Sequence, residues 1–456
     1  MSSLFGTMSI ALSGLLTEQG ALGITTNNVA NANTPGYSRQ RPVLIEGDPV
    51  LQGSLTFGSG VVLANVQSLR DPILELRLND ETQQHSQLDT MVSAMQQIEV
   101  MFSGSNGSLG TQITNFFNSL QQLSSNAVSL SARQGVLSAA GNVANSFRTT
   151  VSNLRAQRSS LDLGVGQTVE QINVVTGQIA KLNQQISAIE NLHQDAGTFV
   201  DQRTTLIRQL SEMVDVSVVK SDNTLTITTS SGYALVAGDR SFAVTNQLDP
   251  SGVQHIFSHG ADITAKITGG SLAGVLAVRD QKIPALLADL DTLAGGLATA
   301  INSAHRNGTD LAGMAGGDFF TPPPAGNVGA ASSMAVLITD PSKIAASSDG
   351  SPGSNGNLTQ LLAVQNQTVT GGQSPINFYA DMVFGIGSDV ANGSAERDAS
   401  DLILRQLQDQ RSSLSGVSMD EEAANLIRYE RSYQAAARVI TAISEITDTA
   451  IQLGRY

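Results

Sequence analysis

The 456-residue chain has no cysteine and no tryptophan. Without cysteine no disulfide can form, and thiolate chemistry and cysteine-ligated metal sites are excluded. Charge is scarce: 14% of residues are Asp, Glu, Lys or Arg, against about 25% in average globular proteins. Basic residues are the rarer kind, 25 against 39 acidic, which gives a net charge of -14. Phosphate backbones are bound through clustered Lys and Arg, so nucleic acid is not an expected partner. The first 38 residues hold no Lys or Arg, and no run approaches the roughly 18 apolar residues of a membrane span. Neither a cleavable secretory signal nor membrane association is expected.

What the chain does contain is helical periodicity at both ends. Leu4, Met8, Ala11, Leu15, Leu22, Thr25 and Val29 recur in steps of three and four, with Glu18 breaking the stripe. A helix over 4–29 is about 38 Å long, and Gly14, Gly20 and Gly23 leave it marginal in isolation. Near the other end, Leu426, Tyr429, Tyr433, Ala436, Ile440, Ile443, Thr447 and Ala450 form a matching stripe. Its start is marked by Ser418-Met419-Asp420-Glu421, a capping-box pattern, with Glu422 a further carboxylate at the helix N-terminus. The two stripes are expected to be partners, paired as a coiled coil in the fold expected below; periodicity alone favours two ordinary core helices of one domain over a dedicated coiled coil.

Between the ends, Asp71-Pro72 reads as an N-cap followed by proline at the first helical position. Further helices are expected over Leu109–Leu123, Val136–Leu161, Val169–Leu192 and Leu272–His305, and again from near Ala399. After Val214 the period changes to β-branched runs broken at Asp222-Asn223, Gly232 and Gly238-Asp239, which predicts short antiparallel strands. Residues 307–374 are rich in turn formers.

Catalytic and metal-ligating patterns are weak. "GGSLAG" at Gly269 resembles a nucleophile elbow but has Ala273 where the pattern needs glycine, and a tight strand-to-helix turn describes it better. His255 and His259 are four apart but lie in a β-type stretch without the HExxH glutamate, and read as surface histidines. Asp420, Glu421 and Glu422 are explained by a helix N-terminus. No catalytic, cofactor or metal site is expected.

The stretch "NNVANANTPGYSRQR" ends the first helix. Asn27, Asn28, Asn31 and Asn33 are poor interior helix residues, and Asn31 or Asn33 in the left-handed conformation can terminate it. Thr34, Pro35, Gly36 and Tyr37 predict a type II turn with Pro35-Gly36 at its centre. Together with the preceding "SLFGTMSIALSGLLTEQGALGITT", this closely resembles the N-terminal signature of bacterial flagellar axial proteins, the rod, hook and hook-associated subunits. The C-terminal "DEEAANLIRYERSYQAAARVI" resembles the matching C-terminal signature and is most similar to the hook-associated junction proteins of that family. "ITGGSLAGVLAVRD" and "GGDFF" agree with the same members.

The resemblance implies a structural subunit, not an enzyme, that adapts hook to filament; a rod or hook subunit is the alternative. It implies export without a cleaved signal and an extracellular place in the flagellum, at the hook–filament junction. It further implies self-association in a helical tube, a hook subunit below, a second junction protein above, and an export chaperone at the C-terminal region. In the family the terminal helices pair and line the inner tube. The expected fold is mainly α with a β-rich insertion. Residues 1–33 with 420–456 would form the terminal coiled coil, mobile in the free subunit. Residues 34–212 with 269–306 and 375–419 would form a helical stem, and 213–268 with 307–374 a small antiparallel, loop-rich outer domain.

Overall fold

The computed structural model describes residues 2–52, 55–103, 107–192, 194–221, 224–351 and 353–453. Helix α1 (Ser2–Ala30) opens the chain. Strands β1 (Gln40–Glu46), β2 (Val50–Gln52), β3 (Leu55–Phe57) and β4 (Val61–Ser68) follow, with β1 antiparallel to β4 and β2 to β3. The sequence reading assigns this segment to a helical stem, but it forms an arm of strands. The first three residues of β4 alternate inward and outward, and the inward side lies on α1. Thr17 Oγ1 donates to Val61 O at 2.9 Å, and Gly20 leaves room for Leu63.

Helix α2 (Pro72–Ser103) starts where Asp71-Pro72 predicts, with Asp71 Oδ1 accepting from the Ile73 and Leu74 amides at 2.9 and 3.2 Å. Helix α3 (Leu109–Ser125) is capped by Ser108. Helix α4 (Leu130–Glu190) runs unbroken for 61 residues, about 90 Å. It joins the two helices expected over 136–161 and 169–192. The linking "DLGVG" stays helical because it is packed: Val165 is buried, and Gly166 has Gln254 and Asn246 where a Cβ would stand.

After α5 (Gly197–Met213) comes the β-rich module. Strands β5 (Ser217–Ser221), β6 (Thr224–Thr228), β7 (Ala234–Ala237) and β8 (Arg240–Ser241) make an antiparallel sheet in that order. Strands β9 (Val244–Leu248), β10 (Gln254–Ser258) and β11 (Ala261–Asp262) make another. The expected turns at Gly232 and Gly238 carry positive φ, +86° and +58°, while Asp222-Asn223 lie outside the described residues. Helix α6 (Gly270–Ala277), one π turn over Val278–Lys282 and α7 (Ile283–Arg306) form a continuous helical run. That run is long and apolar enough to cross a membrane, but it is a core element here, with Leu290, Leu293, Leu297 and Ile301 fully buried. Short helices α8 (Ala330–Ser333) and α9 (Gly356–Ala363) precede two long ones, α10 (Pro375–Ser415) and α11 (Met419–Leu453).

Two apolar cores result. One joins α2, α3, the first half of α4, α7 and α10. The other joins the second half of α4, α5, α6 and the β module. Residues 307–374, grouped with the β module in the sequence reading, belong to the first core instead. Phe319 and Phe320 of "GGDFF" pack on Phe116 of α3 with ring centroids 5.8 Å apart in each case, and Met334, Ile344 and Leu358 are buried beside them. Arg279 ties the cores together. Fully buried at the π turn, it donates to Asp162 on α4 at 2.7 Å, to the Gln254 carbonyl on β10 at 2.8 Å and to Asp280 through two nitrogens at 2.8 Å.

Candidate functional site

The two sequence stripes meet: α1 lies antiparallel along α11, the most extensive contact between any two elements. Of the predicted seam residues, Ala11, Tyr429 and Ile443 are buried, and Leu4, Leu15, Leu22, Val29, Leu426, Tyr433, Ala436 and Ile440 are half-buried. Met8 and Ala450 are exposed. The covered face of α1 is broader than the predicted stripe and partly polar: beside Ala11 and Thr25 of the stripe it takes in Thr17, Ala21, Ile24 and Asn28. Outward, the pair leaves large apolar side chains in solvent: Phe5, Ile10, Leu12 and Leu16 on α1, and Ile427, Val439, Ile446 and Leu453 on α11. Glu18, the sole charge of α1, is turned toward Arg428. Burial raises its pKa above the usual carboxylate value, and the Arg428 charge opposes the shift.

The end of α1 is built from asparagines, though not as expected. Asn31 and Asn33 keep negative φ. The last ladder bond runs from Asn31 N to Asn27 O at 3.1 Å, an acceptor that Asn31 Nδ2 also reaches at 3.0 Å, and beyond it the spacing tightens to three residues, with Thr34 N donating to Asn31 O at 2.9 Å. The turn itself follows the prediction: Tyr37 N donates to Thr34 O at 3.2 Å, and Gly36 has φ +82°. A Cβ at Gly36 would sit 2.4 Å from Thr205 Oγ1, so the position excludes side chains twice over. Thr34 and Pro35 are exposed, as are Asn27 and Asn33.

From this turn onward each residue is clamped by a different element. Gly36 O accepts from Arg411 Nη2 on α10 at 3.0 Å, and Arg411 Nε donates to Glu75 on α2 at 2.5 Å. Tyr37 OH donates to Asn28 Oδ1 at 2.8 Å. Burial, reinforced by the Asp201 and Glu422 charges, pushes the Tyr37 phenol up to about 12, so it stays protonated as that donor. The Ser38 amide and hydroxyl both donate to Asp201 on α5, at 3.0 and 2.7 Å, and Arg70 closes that pair at 2.9 Å. Arg39 reaches α11, donating to Glu422 Oε1 at 2.7 Å and Glu421 Oε2 at 2.5 Å. Asn28 completes the joint: it exchanges hydrogen bonds with the Gln40 backbone at 2.7 and 2.9 Å and donates to Glu422 Oε2 at 3.1 Å.

Sequence reasoning found Asn28 and Tyr37 but not Arg39, Ser38, Asp201, Arg70 or the pairing of Glu422. Its signals were available: the first basic residues of the chain follow an uncharged segment, and three acids open α11. The geometry is that of a polar joint closed by ion pairs and hydrogen bonds. Elsewhere, "GGSLAG" is a turn in which Gly270 (φ +72°) has Val214 N 2.3 Å from where a Cβ would stand. It follows a 3-10 turn, not a strand. His255 faces Asp262 at 2.7 Å on the module surface, and His259 has φ 51°.

Comparison with known proteins agrees with this architecture. The family model described as the flagellar hook-associated protein FlgK helical domain matches residues 95–320. Models for the flagellar basal body rod FlgEFG protein C-terminal region and the flagella basal body rod protein match residues 408–453 and 8–37. The chain is similar to flagellar hook-associated protein 1 of Escherichia coli (strain K12), 31% identical across 99% of this chain and 100% of that one. It is 30% identical to flagellar hook-associated protein 1 of Bacillus subtilis (strain 168), across 99% and 98%. The alignment with the first runs over 549 positions against 456 residues here, so that relative is the longer chain. A solved structure, the flagellar hook junction protein FlgK from Burkholderia pseudomallei, shares the fold with a TM-score of 0.67 at 19% identity, over 74% of this chain and 100% of that one.

Proposed function

The chain belongs to the flagellar hook-associated protein 1 family, the hook–filament junction proteins of the bacterial flagellum, and from that premise we propose that it is a structural adaptor added at the hook tip after export. One observation carries this reading. The antiparallel pair α1–α11 is tied to the stem by the polar joint yet keeps Phe5, Ile10, Leu12, Leu16, Val439 and Ile446 in solvent. Apolar side chains of this number along one rod mark a surface that neighbours cover. In the proposed tube, copies of this chain cover one another, with a hook subunit below and a second junction protein above. An export chaperone would shield the same C-terminal face before assembly. No catalytic step is assigned to it.

The test is genetic and direct. A strain lacking the chain is expected to build hooks that carry no filament, restored by the full-length chain. Full-length filaments on hooks without it would overturn the reading.

A further inference from the structure

The strand arm ends in a tip that its own chain leaves bare. Val50, Leu51 and Phe57 are exposed there, Leu51 by 76%, and the exposed Glu46 and Asp48 stand beside them. Among the described residues strands β2 and β3 pair only with each other, so their outer edges carry no further strand. Each edge is only three residues long, and no other strand among the described residues covers it.

A surface of the complementary kind lies at the joint. Beneath the turn 34–37, between it and helices α4 and α5, is a cleft of about 710 Å³. Its lining is mainly apolar and includes Pro35, Tyr37, Leu182 and Leu206. Lys181 is the cation in this lining; it is exposed and has no ion-pair partner among the described residues. The acid of the cleft, Asp201, is already held by Ser38 and Arg70.

The tip cannot fill the cleft of its own chain. The arm starts at Gln40, bonded to Asn28, and runs back along α1 until Gly60 lies against Ile10. That is about 27 Å of helix away from the joint.

We propose that the tip of one chain docks in the joint cleft of a second copy, seating Leu51 and Phe57 against Leu182 and Leu206 and setting Glu46 and Asp48 against Lys181. Tip and cleft are different patches, so the contact is heterologous and repeats without closing on itself as a two-fold dimer would. The proposal deepens the self-association reading above and rests on it.

Because the chain has no cysteine, a Thr56→Cys, Gln202→Cys double variant reports this contact with no other thiol of the chain to compete. Thr56 lies opposite Leu51 across the tip and Gln202 lines the cleft; both are exposed and neither is an anchoring residue. In flagella isolated from cells making this variant in place of the parent chain, mild oxidation is expected to give a ladder of multimers on a non-reducing gel. Adding Lys181→Glu is expected to abolish the ladder, and combining it with Glu46→Lys and Asp48→Lys to restore it. Flagella that carry the variant but yield only monomers, or internally linked monomers, would overturn the contact and leave self-association standing. Absence of the cysteine-free parent chain from isolated flagella would overturn self-association, and the contact with it.

Discussion

The guanidinium of Arg39 donates to the carboxylate of Glu422 at 2.7 Å, joining residues 383 apart in the chain. This pair links the segment leaving α1 to the helix that returns alongside it. The Glu422 side chain is 2% exposed and that of Arg39 20%. Removing Glu422 takes away the buried carboxylate that both Arg39 and Asn28 donate to and leaves Arg39 only Glu421, at a cost of about 1.5 to 3 kcal/mol for each charge-assisted bond lost. Glu422→Ala is therefore expected to lower the urea midpoint clearly. Glu421→Ala, where the carboxylate is 61% exposed, should shift stability by about 1 kcal/mol or less. Equal effects at the two positions would refute this ordering.

Pairing of the terminal helices and assembly are separable. Ile443 is buried between the terminal helices, while Met8 on α1 faces solvent. Ile443→Asp should speed hydrogen exchange of amides in α1 and α11 in the free chain. Met8→Asp should leave that exchange unchanged and reduce incorporation into flagella. Both helices should exchange faster than α3, whose apolar face is fully covered.

Burial holds the His305 imidazole below its ordinary value of 6.5. The neutral ring is fixed by two contacts: Nε2 accepts from Ala345 N at 2.8 Å, and Nδ1 donates to Gly317 O at 2.7 Å. As pH falls through 6.5 the unfolded chain takes up this proton while the folded chain does not. The contribution of the neutral ring is thus fully present above that pH and is lost progressively below it, down through the folded value. Urea midpoints measured from about pH 7.5 to about pH 5.5 should show the loss, and His305→Asn should show a shallower slope.

Arg279 satisfies acceptors on three elements with no solvent access. Lysine cannot reproduce the paired contacts to Asp280. Arg279→Lys is expected to loosen the β module over the second half of α4, read as faster exchange in β9 and β10, with α3 unaffected. Arg279→Ala, which leaves Asp162 and Asp280 without their cation, should cost about 3 kcal/mol or more.

Features carried by neighbouring residues were the readable ones. Asp71-Pro72 located the start of α2, and Pro35-Gly36 the turn. The same signal at Ser374-Pro375 begins α10, some distance before the Ala399 start expected from periodicity. It was masked because the helix beyond it carries Gly385, Gly387 and Gly393 and little apolar period. The covered face of α1 extends beyond the predicted stripe for a related reason. An apolar scale counts Met8 and Leu22 and discounts Thr17 and Asn28, yet Thr17 and Asn28 are covered because a carbonyl or carboxylate meets each of them. The joint was least legible, since its residues come from α2, α5, α10 and α11 and only folding sets them side by side. The sequence did, however, hold one trace of it, an uncharged segment ending at Arg39.

Helix α4 carries residues of both cores on one uninterrupted backbone, Val136 to Leu154 in the first and Val165 to Ile179 in the second. Melting either core frees half of that helix, and fraying must stop somewhere near Asp162, where Arg279 and the Gln254 amide hold the side chain. The two halves of the molecule therefore share a single spine, and a push on the β module reaches the other core as the tilt of a rod about 90 Å long.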